Sequence, residues 1–341
     1  MDATQKLLSR KPILAALQGK VPKSIPIWLM RQAGRYLEEY QAVRKISGSF
    51  LDLCYSPKMA KRVTLQPIER FDFDAAIIFS DILMIPYGLG QDVEFKKNFG
   101  PSLGNIDLDK FEKLDGEFLT NKLSPIYDLL NNLSKNEKVR NKDLIGFVGA
   151  PWTLLVYMIN KVSPKNGLSN SFFNDPILIS KLLNILDKFI KLHIKNQVKA
   201  GATIIQIFDS WAGLIKTDFD KYLYKPTLSL VDYTKNLGVP VICFPRGIKN
   251  YVEFSKIVKP SMINIDYNID PERLIDDIDI PIQGGLDPKI LLTDKNNLKT
   301  QIKKYLEIFN NHPYVFNLGH GILPETKIEM VEELVKTVRE F

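Results

Sequence analysis

Short apolar runs alternate with longer amphipathic stretches along most of the chain. Two of these runs, residues 75–79 and 204–208, are almost continuously apolar. Strands that helices cover on both faces have this composition, because neither side of the strand meets water. The pattern therefore predicts a parallel sheet. The eight strands that it predicts are residues 25–30, 75–82, 145–152, 203–209, 239–244, 262–266, 281–285 and 314–318.

The stretches between these runs have the spacing of amphipathic helices. Proline stands near two of the predicted starts, at Asp175-Pro176 and Pro324-Glu325, and Gly201 and Gly238 follow two of the predicted ends. Both placements are typical of helix termini. The clearest predicted helices are residues 57–70, 175–200, 218–237, 251–258, 298–309 and 325–341.

Eight strands that alternate with helices favour an α/β fold of the single (β/α)8 TIM-barrel type, with a doubly wound open sheet as the alternative. Neither a Pro/Gly/Ser-rich linker nor a low-complexity tract divides the chain, so residues 1–341 are interpreted as one domain. The long second crossover, residues 86–141, is the weakest part of the pattern. Within it, residues 93–98 could pair briefly as a strand.

The composition narrows the classes of function. The net charge of +7 comes from 46 Lys and Arg against 39 Asp and Glu. Because the lysines are scattered, they favour a solvated basic surface over a nucleic-acid-binding stripe, although an acidic ligand also fits. The run 144–159 is shorter than the roughly 18 residues of a membrane span and is interrupted by Gly149-Ala150-Pro151, so we expect a buried strand followed by a helix.

The two cysteines, Cys54 and Cys243, are too few for a disulfide framework and lack the spacing of metal ligands. The first residues lack the basic start and apolar core of a signal peptide. We therefore expect a cytoplasmic protein that contains no structural metal site.

Polar side chains interrupt the apolar runs where the predicted strands end. In a barrel these ends meet at one face, where catalytic groups belong. Arg31 and Arg35 leave the first strand four residues apart, so a helical turn there would point both guanidinium groups the same way. Two such groups suit carboxylates or phosphates, and Gly34 permits close approach to the backbone. Pairing with internal acids is the alternative explanation.

Other strand ends supply further candidates. Asp81 follows an apolar run, and a desolvated carboxylate there would pair with arginine or await a cationic or N–H-bearing substrate. Asp209 is similar, and an internal partner for Arg31 or Arg35 is a second interpretation. Ser210 has no base at nucleophile spacing, which excludes a serine hydrolase. His320 lies between two glycines, whereas His193 and His312 have the pattern of helix-surface and loop residues.

Taken together, these segments resemble the uroporphyrinogen decarboxylase family of haem biosynthesis. The matching segments cover nearly the whole chain in the family's order, and the first is highly specific. They are Pro-Ile-Trp-Leu-Met-Arg-Gln-Ala-Gly-Arg-Tyr at 26–36, Phe-Ser-Asp-Ile-Leu at 79–83, Gly-Ala-Pro-Trp-Thr-Leu at 149–154, Asp-Ser-Trp-Ala-Gly at 209–213, Gln-Gly-Gly-Leu-Asp-Pro at 283–288 and Asn-Leu-Gly-His-Gly-Ile at 317–322. The departures are Glu38 in place of proline, Gly285 in place of asparagine, and Lys161-Val162 in place of small residues.

The resemblance implies conversion of the four acetate arms of uroporphyrinogen III to methyl groups, giving coproporphyrinogen III and four CO₂. It also implies a homodimer and a reaction without metal or organic cofactor. Asp81 and Arg31 would be the catalytic residues. Asp81 would stabilise a protonated pyrrole, while Arg31 and Arg35 would bind arms and one of these two arginines would position the proton for transfer. The remaining substrate-binding residues that it implies are Gln32, Ala33, Gly34, Arg35, Tyr157, Ser210 and His320.

The nearest alternative is a corrinoid-dependent or zinc-dependent methyltransferase on a related barrel. Zinc would require thiolate and imidazole ligands close together. The sequence has no His-x-Cys pair, and Cys243 falls inside a predicted strand, which disfavours that alternative. A nucleic-acid-binding protein, suggested by the pI of about 9.1, is disfavoured by the scattered lysines.

Overall fold

The computed structural model describes residues 11–96, 100–165 and 167–341. Seven parallel strands form a curled sheet in the order β1-β4-β5-β6-β7-β8-β9, and β2 and β3 form a separate antiparallel hairpin. Consecutive strands of the large sheet are neighbours throughout, so the doubly wound alternative, in which the order reverses inside the sheet, is wrong. The strands are β1 Ala75–Ile77, β2 Val93–Lys96, β3 Gly100–Leu103, β4 Asp143–Gly149, β5 Ile204–Asp209, β6 Val241–Pro245, β7 Met262–Ile265, β8 Ile282–Gly284 and β9 Tyr314–Val315.

The predicted first strand, residues 25–30, is not a regular strand. It forms a single parallel bridge, between Ile27 and Phe316. Its backbone nevertheless bonds to both edges of the sheet, since Phe316 N donates to Pro26 O at 2.8 Å and Asp74 N donates to Ile27 O at 2.8 Å. Pro26 has no N–H to donate, which keeps the ladder short.

Most helices pack on the outside of the curled sheet. Of the six helices that the sequence predicted, most begin or end within a few residues of their predicted bounds. Two predictions were wrong in part: 218–237 divides into a π-helical turn, Asp220–Tyr224, and a helix, and the last helix begins at Ile328 instead of after Pro324. The helices are α1 Pro12–Leu17, α2 Glu38–Ile46, α3 Phe50–Tyr55, α4 Pro57–Phe71, α5 Met84–Leu89, α6 Leu108–Lys113, α7 Gly116–Lys122, α8 Ser124–Ser134, α9 Pro151–Asn160, α10 Pro176–Lys199, α11 Lys225–Asn236, α12 Tyr251–Val258, α13 Pro271–Ile275, α14 Lys295–Ile308 and α15 Ile328–Glu340.

A small apolar cluster fills the inside of the curled sheet at its amino-terminal end. Helix α1 covers this end, and six of the seven strands, all except β8, contribute one buried side chain each, as does the 25–30 segment through Trp28. The cluster consists of Ile13, Leu14, Ala16, Leu17, Trp28, Ala75, Ile145, Ile204, Ile242, Met262 and Val315. Because this end is packed with apolar side chains, the polar groups of the interior are left at the carboxyl ends of the strands.

Buried amides form a polar layer next to the apolar cluster. Trp28 Nε1 donates to Gln283 Oε1 at 2.8 Å, and Gln283 Nε2 donates to Asn264 Oδ1 at 2.7 Å. Gln206, from β5, lies 3.4 Å from the same Gln283 nitrogen. These contacts connect the 25–30 segment, β5, β7 and β8 through the interior.

The long second crossover contains the expected excursion. Residues Val93–Lys96 pair with Gly100–Leu103, which confirms the brief pairing, while Asn98 lies outside the described residues. The run 144–159 is a buried strand, β4, followed by helix α9, as predicted. No helix in the described ranges is long and apolar enough to cross a membrane.

Candidate active site

The first candidate segment is attached to the loop that follows β9. Met30 N donates to Asn317 Oδ1 at 2.9 Å, and Ile322 N donates to Met30 O at 2.9 Å. The attachment brings Arg31 beside the Gly-His-Gly turn that contains His320. The two candidates, 289 residues apart in sequence, therefore share one end of the sheet.

Arg31 and Arg35 do not lie on a helical turn, so that prediction was wrong. Arg31 has a φ of 61°, in the left-handed region, and the next helix begins only at Glu38. The left-handed residue turns the chain sharply as it leaves the sheet. The two guanidinium groups still interact: the neighbouring charge of Arg35 contributes to a lowered pKa at Arg31, after the larger effect of desolvation. The charges of Asp81 and Tyr157 raise the pKa of Arg31 and so oppose this effect.

Gln32 is fully buried, and its side chain holds the segment in place. Its Oε1 accepts from Leu29 N at 3.2 Å, and its Nε2 donates to Ala75 O at 3.0 Å in β1. Tyr36 adds a third contact, donating its hydroxyl hydrogen to Gln32 O at 2.7 Å. Both polar atoms of the Gln32 amide thus form hydrogen bonds within the protein.

Ala33 and Gly34 are half-buried between Gln32 and Arg35. A Cβ atom on residue 34 would lie 2.9 Å from Arg31 O, so the turn needs the space that glycine leaves. Leu37 N donates to Gly34 O at 3.0 Å and closes the turn.

Asp81 lies just beyond β1 and is half-buried. Its Oδ1 accepts from Leu83 N at 2.8 Å. Desolvation raises the pKa of this carboxyl to about 6, although the Leu83 N–H and the Arg31 charge oppose the shift. The group is therefore a carboxylate at neutral pH, and it titrates closer to neutrality than an ordinary aspartate does.

Tyr157 is buried in α9, at the side of the same site. Burial raises the pKa of its phenol, and the nearby polar groups of Ser163 and Trp211 oppose the shift. The charges of Asp81 and Arg31 also affect the pKa of this phenol, so the three groups lie near one another. The tyrosine remains protonated at neutral pH and can donate a hydrogen bond.

His320 is half-buried and neutral at neutral pH. Desolvation lowers its pKa to about 3, and the charges of Arg31 and Arg246 lower it further. Its Nδ1 is buried and has no hydrogen-bond partner among the residues that the structure describes. A ligand that enters here meets an imidazole whose ring nitrogen is still available.

Asp209 and Ser210 follow β5 and have different environments. Asp209 is buried and accepts from the Thr153 hydroxyl at 2.6 Å, while Trp211 N donates to the same hydroxyl oxygen at 3.0 Å. The interpretation of Asp209 as the partner of Arg31 or Arg35 was therefore wrong. Ser210 is half-buried at the turn, and its hydroxyl makes no hydrogen bond with a described residue.

The sequence interpretation missed Arg246, which directly follows β6. Its Nε lies 3.9 Å from Asp266 Oδ2, at the end of β7. The signal was present: a charged residue after an apolar run, the rule that selected Asp81. It was overlooked because the predicted strand stopped at Phe244, two residues earlier.

The other two histidines lie away from the site. His193 was expected on a helix surface, but it is buried in α10 and bonds through Nδ1 to the Tyr127 hydroxyl at 2.9 Å. Long helices that pack on two neighbours bury more than one stripe, and this overrode the surface prediction. His312 lies in a turn, with Nε2 3.0 Å from Ile280 O.

Neither cysteine is near a set of metal ligands. Cys54 lies within α3 and Cys243 lies in β6, and both are buried. In the described ranges, no three His, Cys, Asp or Glu side chains are grouped closely enough to hold a metal ion. The expectation of no metal and no cofactor stays a prediction.

Comparison with known proteins identifies the family. The uroporphyrinogen decarboxylase (URO-D) family matches residues 8–341. The chain belongs to this family. A uroporphyrinogen decarboxylase of Rickettsia bellii is 44% identical over 323 residues, which span 93% of this chain and 95% of the relative. The enzyme of Campylobacter jejuni is 41% identical over 324 residues, 92% and 94% of the two chains.

These matches confirm the predicted family and its decarboxylase activity. A solved structure of a methyltransferase from Methanosarcina mazei also superposes on the chain, with a TM-score of 0.78 over 98% of both chains. Its sequence is only 16% identical, so the likeness shows a shared fold and says nothing of shared chemistry.

The departures from the family pattern remove none of the candidate groups, and two of them, Lys161 and Val162, lie in the loop that follows helix α9. Lys161 has a left-handed φ of 62°, and its carbonyl accepts from Leu103 N at 2.7 Å. Val162 forms an antiparallel bridge with Ser102. The loop after Tyr157 is thereby attached to the β2–β3 hairpin.

The other two departures are accommodated locally. Glu38 is the first residue of α2, where a carboxylate suits the helix dipole. Gly285 has a φ of 102°, a conformation that favours glycine, and its carbonyl accepts from the Tyr305 hydroxyl at 2.8 Å.

Proposed function

We propose that this site binds uroporphyrinogen III and removes CO₂ from each of its four acetate arms, with Asp81 and Arg31 as the catalytic residues. One observation carries the proposal: a carboxylate with a raised pKa shares the end of the sheet with arginines, a protonated tyrosine and a neutral imidazole. The Asp81 carboxylate suits a developing cation, and the surrounding donors suit carboxylates. Family membership supplies the reaction that this arrangement serves.

The substrate supplies its own electron sink. Protonation of a pyrrole carbon gives a cationic ring next to the acetate arm, and loss of CO₂ moves the C–C bonding pair into that ring. A second proton then adds to the methylene carbon and the ring proton leaves, so that the arm becomes a methyl group. Asp81 accepts pyrrole N–H bonds and stabilises the cation throughout these steps.

Arg31 binds and orients the reacting arm. A lowered pKa is the direction that a proton donor requires, yet guanidinium is a poor acid, so Arg31 acts mainly by positioning the arm. Arg35 binds a further carboxylate, and so do the donors of Tyr157, Ser210 and His320. Ala33 and Gly34 provide backbone close to the bound arm, while Gln32 contributes its backbone and keeps the segment in place.

We also propose that residues 25–30 complete the sheet as the eighth strand of a closed (β/α)8 barrel, in a single domain of residues 1–341. The support is the backbone bonding of this segment to β9 on one side and to Asp74, beside β1, on the other. A homodimer in the cytoplasm, with no nucleic-acid or membrane partner, completes the proposal. Light scattering of the purified protein tests the dimer.

The fold is compatible with the methyltransferase alternative, but the cysteines are poorly suited to bind the zinc that it would require. Burial raises the pKa of both Cys54 and Cys243, which opposes the thiolate form that zinc requires. The two sulfur atoms also lie in different elements, α3 and β6, with no nearby group of acids or histidines in the described ranges. We therefore retain the decarboxylase.

The decisive experiment incubates the pure protein anaerobically with uroporphyrinogen III and a chelator, and follows the hepta- to tetracarboxylate products by chromatography. We expect complete conversion by the wild type, and loss of turnover with retained binding in Asp81→Asn. Asp279→Asn, an exposed aspartate on the surface, is the matched control. Absence of products from the wild type, or unchanged turnover in Asp81→Asn, contradicts the proposal.

A further inference from the structure

Arg246 and Arg31 enter the site from different parts of the sheet. Strand β6, which Arg246 follows, is the central strand of the seven, with three strands on each side. The 25–30 segment, which Arg31 follows, bonds to the two outer edges of the same sheet. Because the sheet is curled, the centre of the sheet and its edges come together at one site, and the charge of Arg246 acts on Arg31 there.

The backbone of Arg246 is held firmly in this position. Arg246 N donates to Asp209 O at 3.1 Å, and Gly213 N donates to Arg246 O at 3.0 Å. A Cβ atom on residue 213 would lie 2.7 Å from Gly247 O, so the loops after β5 and β6 are in close contact there. The direction in which the Arg246 side chain leaves the sheet is set by these contacts.

Asp266 positions the Arg246 side chain from β7. The 3.9 Å separation between Arg246 Nε and Asp266 Oδ2 makes an ion pair but is too long for a hydrogen bond. Asp266 is buried, and its backbone N–H donates to the Tyr251 hydroxyl at 3.2 Å. That hydroxyl in turn donates to Pro245 O at 3.2 Å, next to Arg246.

The contact leaves Arg246 with unused hydrogen-bonding capacity. Its Nε is buried and has no hydrogen-bond partner in the described part of the chain, and the same holds for Nδ1 of His320. Buried polar atoms are normally paired, and unpaired ones inside a site indicate where a ligand binds. The two groups are near each other and near Arg31, since both arginine charges act on the imidazole.

We propose that Arg246, positioned by Asp266, is a third guanidinium that binds a substrate carboxylate, in the part of the site that it shares with Arg31 and His320. The proposal rests on the proposed function, because a macrocycle with carboxylates around its whole perimeter offers acids to several guanidinium groups at once. Arg246 binds one of these carboxylates while Arg31 orients the arm that reacts. Arg246 therefore determines affinity for the polycarboxylate, and Asp81 and Arg31 determine the rate of the chemical step.

The test compares Arg246→Gln, Arg246→Lys and Asp266→Asn with the wild type. We expect Arg246→Gln to raise KM for uroporphyrinogen by about tenfold or more and to change kcat by no more than about twofold, since the lost contact forms before the chemical step. Arg246→Lys should recover part of the loss. Asp266→Asn should raise KM less, and should add nothing in the Arg246→Gln background, because it acts through Arg246.

Arg273→Gln is the matched control, because Arg273 is an exposed arginine that pairs with Asp270 on the surface. Binding of uroporphyrinogen is also measured by anaerobic calorimetry in the Asp81→Asn background, with and without Arg246→Gln. An unchanged KM and Kd on loss of Arg246, or an equal change in Arg273→Gln, overturns the inference. A wild type that binds the macrocycle through Arg246 but releases no CO₂ contradicts the proposed function and leaves this inference supported.

Discussion

The side chain of Arg31 lies directly against Gly321. A Cβ atom on residue 321 would be 2.6 Å from Arg31 Cγ and 2.9 Å from its Nε. Glycine is therefore needed after His320 for its small size and not for backbone flexibility. A larger residue there would occupy the space through which the Arg31 side chain enters the site. The loop after β9 and the turn after residue 30 thus shape the site jointly.

We expect Gly321→Ala to displace the Arg31 side chain and raise KM for uroporphyrinogen about tenfold, as loss of one charge-assisted contact does. The flexible side chain can move aside, so the fold should be retained. Steady-state kinetics and a thermal melt measure the two effects. Gly116→Ala, whose new methyl group meets only Leu192 Cδ2 at 3.1 Å, is the control. If the substitution acts equally strongly in an Arg31→Ala background, the explanation is wrong.

The pH dependence of the reaction should report Asp81. Its pKa is raised to about 6, so the carboxylate that stabilises the cation is lost as pH falls through that value. We expect kcat/KM to decline below about pH 6 and to stay level up to pH 8, since this parameter reports groups of the free enzyme. Rates measured in constant ionic strength between pH 5 and 8 test this. A level profile down to pH 5 would assign the carboxylate an ordinary pKa.

Thr153 should contribute strongly to stability through its hydroxyl. The group donates to Asp209 and accepts from the backbone of Trp211, and it is fully buried. Thr153→Val keeps the shape but leaves both partners unpaired, so we expect a loss of about 2 kcal/mol or more in the free energy of unfolding. Thr153→Ser keeps the hydroxyl and should retain most of the stability of the wild type. Urea denaturation of the wild type and the two variants measures these differences. A valine variant as stable as the wild type would refute the stabilising role of the Thr153 hydroxyl.

Asp209 should make folding less favourable as pH rises. Burial raises its pKa to about 7, against the Thr153 hydrogen bond, whereas an unfolded aspartate titrates near about 3.9. Between these values the folded state holds a proton that the unfolded state releases, so stability falls with increasing pH. Asp209→Asn removes this dependence and keeps an oxygen that accepts from Thr153. We expect the free energy by which Asp209→Asn exceeds the wild type in stability to be about 2–3 kcal/mol larger at pH 8 than at pH 5.

Denaturant melts at the two pH values measure that difference. The exposed Asp279→Asn variant should show none, because it removes the same charge without desolvation. An advantage of Asp209→Asn that is equal at both pH values would mean that the aspartate is ionised throughout.

The sequence pattern predicted Asp81 and His320 well because each interrupts an apolar run at the end of a strand. It predicted less about the first segment. The positive φ of Arg31 depends on how residue 30 bonds to Asn317, a contact that spans 287 residues, and no local pattern reveals it. The burial of His193 was missed for the same reason, since its partner Tyr127 belongs to another helix.

The order of apolar and polar residues by itself determined the parallel sheet, the approximate helix bounds and the end of the sheet where the chemistry lies, because period and strand direction are local properties of the chain. Its motifs determined the family. Only the tertiary structure decided that Gln32 holds its segment in place, that Asp209 pairs with Thr153, and that Arg246 lies near Arg31 and His320. Those outcomes depend on which side chains the curled sheet brings within a few ångströms of one another. Desolvation and charge, which set the pKa of Asp81 and His320, exist only once that packing has formed.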